Sequence, residues 1–379
     1  MRRVMLDRRS LEALAGIAEH PTLGPCVQEV EVSTNHLLPL DELHTIEPPS
    51  RPFSEIMAWA DRRARGEDEN DAEEGEEEAI DEETEDEGNI SAEEADSDDD
   101  DYPHLRGLDE TAYRKAFDNQ EELIRRGDDI KHLTRAMQKL VNCSTIRITD
   151  DNRVWGLRRL QKEIGILPQR CLTFESPKSV ELVRQMLHAL FAALAEGNTP
   201  IDFLEITSGS VIDNANRISP DMLVKPTSAA LDNFRLHTLT TLSLILDSKS
   251  PVHSATAINW SYDLIQFLDR FPELSDFRIE FGYRDEDRGS LSGSPEWRSS
   301  GFNRTDYATY TRFSKLSQLL FISKLEIVHL ATFDCTGMEL ALFLLRHQST
   351  LQDIHLDAIV LIDSDGEIGS WLWLLKKIA

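Results

Sequence analysis

The chain has 379 residues and a formal net charge of -29, from 40 basic and 69 acidic side chains. The imbalance is local: between Glu67 and Asp101 there are 22 acidic residues and no Lys or Arg, which leaves 47 acidic against 40 basic residues elsewhere. The remainder is only mildly acidic, so charge bears on the partners of one segment, and the absence of Lys and Arg clustered with aromatics excludes a recognisable nucleic-acid face.

In chain order, Ser10 is placed to cap a helix carrying Leu11, Leu14, Ile17 and Ala18, which stops at His20-Pro21. Val27, Val30, Val32, Asn35 and Leu37 follow with the spacing L-x-x-L-x-L-x-x-(N/C)-x-L of a leucine-rich repeat strand and turn. Residues 62–103 are dominated by Glu, Asp, Gly, Ser and Asn, with almost no large apolar side chains. Such a segment buries too little surface to offset ordering entropy, so it is expected to be a disordered acidic insertion. Tyr113, Phe117 and Leu123 predict a helix ended by Gly127, and Ile130, Leu133, Met137 and Leu140 a second one opened by Asp128-Asp129.

Cys143, Ile146 and Ile148 repeat the strand spacing, and Ser176-Pro177 opens a helix with Val180, Val183, Leu187, Leu190, Phe191 and Leu194 on one face, ended by Gly197. Further strands are expected from Ile201, Leu204 and Ile206, from Leu239, Leu242 and Leu244, and from Leu274, Phe277 and Ile279. A helix capped by Ser261 and stopped by Pro272 lies between the last two. Tyr283 to Thr311 reads as a long loop, and Ile322, Leu325 and Ile327 as the next strand. Thr336 and Glu339 form a capping box before Leu340, Phe343 and Leu344, with Arg346 and His347 where the helix dipole favours cations. Leu351, Ile354, Leu356, Ile359 and Leu361 give a last strand, Asp363 to Gly366 a turn, and Ile368, Trp371, Leu372 and Leu375 a closing helix with Trp371 in the core.

One helix and one strand cannot close a core alone, so such units must stack. The expected architecture is α/β: an irregular leucine-rich-repeat-like solenoid with a mostly parallel sheet and helices on its convex side. The strands at 242–246, 277–281, 325–329 and 353–357 should be neighbours in it. The chain then divides into an N-terminal repeat-like segment (1–61), the acidic insertion (62–103) and a repeat domain (104–379).

The opening RRSLEALAGIAEHPTLGPCVQEVEVS resembles the segment after the F-box in ascomycete fungal F-box proteins, and ELALFLLRHQSTLQDIHLDAIVLIDSDGEIGSWLWLL is similar to their last repeats. The resemblance implies a non-enzymatic subunit of a cullin-type ubiquitin ligase whose repeats hold the protein to be ubiquitinated. The F-box would dock the ligase adaptor. No F-box precedes Arg9, so adaptor docking is carried over to no residue and is expected only if a box is missing from the gene model.

No chemistry-bearing motif competes. There is no G-x-S-x-G, Walker loop or G-x-G-x-x-G, the histidines are scattered, and the Asp363-x-Asp365-Gly366 turn has Leu361 and Leu372 where a calcium loop needs ligands. We therefore expect no catalytic, cofactor or metal residues. Cys26, Cys143, Cys171 and Cys335 are isolated, which suggests buried, reduced thiols and a cytoplasmic or nuclear setting. No apolar run reaches the roughly 18 residues of a membrane span, and no apolar segment follows the N-terminal basic residues as in a signal peptide.

The residue between the last two apolar positions of each strand points to the opposite face. These are Glu31, Arg147, Glu205, Ser243, Arg278, Glu326 and His355. They are read either as a solvated sheet face or as a partner-binding surface. The function expected is a protein-binding scaffold of the F-box substrate-recognition type, with an acidic chaperone-like or nuclear protein binding basic partners through its Glu/Asp run as the alternative.

Overall fold

The computed structural model describes residues 1–43, 105, 107–149, 156–168, 176–207, 218–224, 235–246, 260–281, 313–361 and 371–378. The expected acidic insertion, the Tyr283–Thr311 loop, the Asp363–Gly366 turn and Cys171 lie outside the described residues.

Eight strands form one sheet: β1 (Arg2–Met5), β2 (Glu29–Ser33), β3 (Thr145–Thr149), β4 (Phe203–Ile206), β5 (Thr241–Leu246), β6 (Asp276–Phe281), β7 (Ile327–Cys335) and β8 (Asp353–Leu361). They lie side by side in chain order, and every neighbouring pair is parallel. Parallel neighbours require a crossover between them, and helices supply it. α1 (Arg8–Glu19) joins β1 to β2. α2 (Leu40–Leu43), α3 (Glu110–Arg125) and α4 (Asp128–Met137) lie between β2 and β3, and α5 (Leu157–Ile164) and α6 (Pro177–Gly197) between β3 and β4. α7 (Pro220–Val224), α8 (Trp260–Leu268) and α9 (Phe313–Leu319) precede β5, β6 and β7 in turn, α10 (Gly337–His347) precedes β8, and α11 (Trp371–Ile378) follows it.

One row of the sheet explains the fold. Val30, Ile146, Leu204, Leu242, Phe277 and Val328 occupy equivalent register positions and are almost fully buried. Val32, Ile148, Ile206, Leu244, Ile279 and Leu330 form a second buried row two residues on. Both pack with the apolar stripes of α4, α6, α8 and α10 in one continuous core. Burying a Leu or Phe side chain is worth about 1.5–3 kcal/mol, so these rows are the main reason the strands stack in register.

A second cluster sits near the C-terminal ends of β1 and β2: Met5, Leu37, Leu38, Tyr113, Leu157 and Ile164, among others. The chain after β2 is fastened there. The Gln120 side chain accepts from the Leu37 amide and donates to its carbonyl, both at 2.9 Å, and the Tyr113 hydroxyl donates to the Leu38 carbonyl at 2.9 Å.

Helix ends follow the sequence in part. Ser176 caps α6 with Pro177 in its first turn, and Thr336 with Glu339 closes a capping box on α10. Elsewhere the structure corrects the reading. Asp7, not Ser10, caps α1 by accepting from the Ser10 amide, and Ser10 is inside the helix. Ser261 likewise lies within α8, buried. The left-handed residue that ends α6 is Asn198, at φ 49°, one residue beyond Gly197. His347 is not a surface cation: it is fully buried, its Nδ1–H donates to the Phe343 carbonyl and its Nε2 accepts from the Ile322 amide. Burial pushes its pKa down. Trp371 and Leu372, expected on the apolar face of α11, are exposed, whereas Leu374, outside that expected face, is buried. Cys26 is exposed, whereas Cys143 and Cys335 are buried thiols.

Candidate partner-binding sheet face

Side chains alternate across a strand, so the residues between the buried rows share the other face. The register aligns Arg3, Glu31, Arg147, Glu205, Ser243, Arg278, His329 and His355 into a single row crossing all eight strands. Six of the seven residues expected from sequence are in it. Glu326 is not: it precedes β7, and His329 takes the place. The error has a specific cause. Ile322, Leu325 and Ile327 have the repeat spacing, but so do Leu325, Val328 and Leu330 three residues on, and only the second set is buried throughout as strand core (Leu325 0%, Val328 0%, Leu330 1% exposed). Ile322 instead ends the α9 connection, where His347 holds its amide.

Arg3 was not anticipated because β1 shows too little of the pattern. Its two positions facing the core are Arg2 and Val4, paired with Val30 and Val32, so a cation stands where an apolar residue is expected.

The row is flanked by two others. Glu29, Thr145, Phe203, Thr241, Asp276, Ile327 and Asp353 lie on the N-terminal side. On the C-terminal side Ile245, Glu280, Ala331 and Asp357 continue it across β5 to β8.

Between β1 and β4 opposite charges are neighbours. Arg3 pairs with Glu31 at 2.9 Å, and Arg147 bridges Glu29 at 2.7 Å and Glu205 at 3.1 Å. The Arg147 guanidinium also lies 5.9 Å from the Phe203 ring centroid. Glu31 is buried. Burial raises the pKa of Glu205; Arg147 opposes this, and Glu29 and Glu31 add to it.

Between β5 and β8 the face is different. Arg278 holds Asp276 on its own strand through two contacts, 2.6 and 3.1 Å, and stays exposed. This contact raises the Arg278 pKa. His329 and His355 stack face to face, centroids 3.8 Å apart and 6° from parallel. The pKa of His329 is lowered, first by burial and then by the His355 and Arg278 charges. Asp353, His355 and Asp357 are exposed.

The backbone is unusual in the same region. Thr332 and Ala358 have φ of 64° and 48°, in the left-handed region that disfavours side chains, and they occupy matching places in β7 and β8. Beyond them the alternation shifts by one residue, which brings Phe333, Cys335 and Leu361 into the core. Among the described residues no group of three or more His, Cys, Asp or Glu side chains is arranged to hold a metal ion, and no helix is long and apolar enough to cross a membrane.

A scan of the chain against protein-family models found no match, and a search of curated proteins found no similar sequence.

Proposed function

We propose that this chain is a leucine-rich-repeat-like solenoid that acts as a non-enzymatic protein-binding scaffold, of the kind that holds substrates for an F-box-type ubiquitin ligase. The observation that supports this best is the row of polar side chains running from Arg3 to His355 on the face opposite the core, with Arg278 and His355 exposed in its β5–β8 part. A surface that repeats strand by strand suits an extended partner contacting several repeats at once. The β5–β8 part is the better binding surface, because among the described residues its charged groups are not ion-paired across strands as Arg147 and Glu31 are. It combines exposed carboxylates (Asp353, Asp357), two imidazoles and partly exposed Ile245 and Ile327. A partner segment with basic and apolar side chains complements it. Adaptor docking is assigned to no residue of this chain.

The test is a quantitative capture experiment. Proteins retained by the immobilised native chain are compared with those retained by Arg278→Gln/His329→Ala/His355→Ala and by a chain lacking 62–103. Substitutions at exposed positions such as Arg278 and His355 change stability by about 0.5–1 kcal/mol at most, and with folding of the half-buried His329→Ala change checked by circular dichroism, lost capture would report the surface. Partners lost with the triple variant and kept without the acidic run support the proposal. The reverse pattern, with capture that collapses as salt is raised, supports binding of basic partners through the 22 acidic residues between Glu67 and Asp101.

A further inference from the structure

Away from the sheet face, a cleft of about 340 Å³ lies between the start of α1 and one face each of α3 and α5. Its position is beyond the C-terminal ends of β1 and β2, the side on which open α/β sheets hold ligands. Its base is apolar, with Met5, Leu6, Leu37 and Leu160 buried. Its walls are cationic: Arg8 and Arg9 from α1, Lys115 from α3 and Arg159 from α5, against two lining carboxylates, Asp7 and Glu163. Outside the acidic run the chain carries 47 acidic against 40 basic residues, so this is a local inversion of sign.

The pairing within the cleft leaves positive charge over. Arg9 and Arg159 converge on the same carboxylate, Glu163, at 3.7 and 3.6 Å. Arg8 reaches out to Asp128 at 3.3 Å. Asp7 is committed to the α1 amides as its cap. Lys115 has no ion pair among the described residues and is exposed. Two guanidinium forks sharing one carboxylate, next to a free ammonium, suit a ligand that carries two negative charges on adjacent oxygens.

We infer that this cleft binds a small phosphate monoester, its phosphate between Lys115, Arg9 and Arg159 and its organic part over Leu37 and Leu160. The cleft is at the small end of the roughly 300–1,000 Å³ seen for ligand pockets, which selects a compact molecule. A phosphate monoester has close to two negative charges at neutral pH, and the lining offers four cations against the carboxylates of Asp7 and Glu163. The inference is independent of the sheet-face reading.

The full chain is titrated calorimetrically at low salt with glycerol 3-phosphate, with glycerol as the uncharged control. Saturable one-to-one binding of the phosphate ester alone is expected. Lys115→Gln/Arg159→Gln should weaken it by about tenfold or more, as loss of two charge-assisted contacts implies. Arg114→Gln, on the same helix but outside the cleft, should leave it unchanged. Circular dichroism checks folding; if the double variant fails that check, Lys115→Gln alone, at an exposed position, must still weaken binding. Absence of saturable binding, or equal binding by all variants, overturns the proposal.

Discussion

The two ends of the sheet use the same repeat spacing and reach different surfaces. From β1 to β4, charges of opposite sign are cross-strand neighbours, and the row is closed by contacts within the protein. From β5 to β8 the cross-strand neighbours include two imidazoles, and the carboxylates of Asp353 and Asp357 face solvent. The core beneath differs in the same sense. Leu204 in β4 is fully buried, whereas Ile354, at the equivalent place in β8, is 42% exposed. A pattern of apolar residues therefore sets where strands form, while neighbours on both sides decide how tightly each strand is held.

The largest test of this contrast is a matched truncation. Leu204→Ala should destabilise by about 2–5 kcal/mol, and Ile354→Ala by about 1 kcal/mol or less, because a half-exposed side chain leaves no closed cavity. Chemical denaturation measures both, and equal losses would contradict the assignment of β8 as the weaker strand.

Next in size is a pH effect specific to the N-terminal end. His36 is buried, its Nδ1–H donating to the Thr34 carbonyl at 2.7 Å and its Nε2 accepting from the Ser179 hydroxyl at 2.6 Å, and burial depresses its pKa to about 4. The unfolded chain takes up this proton near pH 6.5 and the folded one does not, so stability falls as pH drops from about 6.5 to about 4, by up to about 3 kcal/mol. His36→Gln should remove that part of the slope in a stability-versus-pH series. The lowered pKa of His329 has the same sign, so His329→Gln should flatten a smaller part of the curve just below pH 6.5.

Breaking the ion row is the third test. Arg147→Met leaves Glu29 and Glu205, on either side of β3, without their shared cation, and about 1–3 kcal/mol should be lost at neutral pH. The pKa of Glu205 is already raised, so its ionisation opposes folding as pH rises from the ordinary carboxylate range through its folded value. The loss in Arg147→Met should therefore shrink toward acid. A loss that is constant with pH would assign it to packing against Phe203 instead.

The smallest effect is expected at the kink of β7. Thr332→Gly relieves a β-branched residue held at φ 64°, offset by the greater backbone entropy of glycine in the unfolded state, so stability should rise by about 1 kcal/mol or less. The same change at Thr145, in the extended and ion-paired half, should instead destabilise.

The sequence alone determined the order of helix and strand over most of the described chain, because Ile146, Leu204, Leu242 and Phe277 repeat at spacings that bury one face whatever the partner. It also determined two helix starts whose signals are local hydrogen bonds, Ser176 and Thr336 with Glu339. Six of the seven face residues followed from the same alternation. Only the tertiary structure decided between the two registers at β7, since both Ile322 and Leu325 can open the motif and burial against α9 and α10 separates them. It recruited Arg2–Met5 as an edge strand with Val4 alone facing the main core and Met5 in the second cluster, because the exposed backbone of β2 offers hydrogen bonds that no local pattern announces. It also placed Lys115 and Arg159 across one cleft, and His329 against His355: contacts between residues dozens of positions apart depend on how elements pack, and that information is absent from any local stretch of the chain.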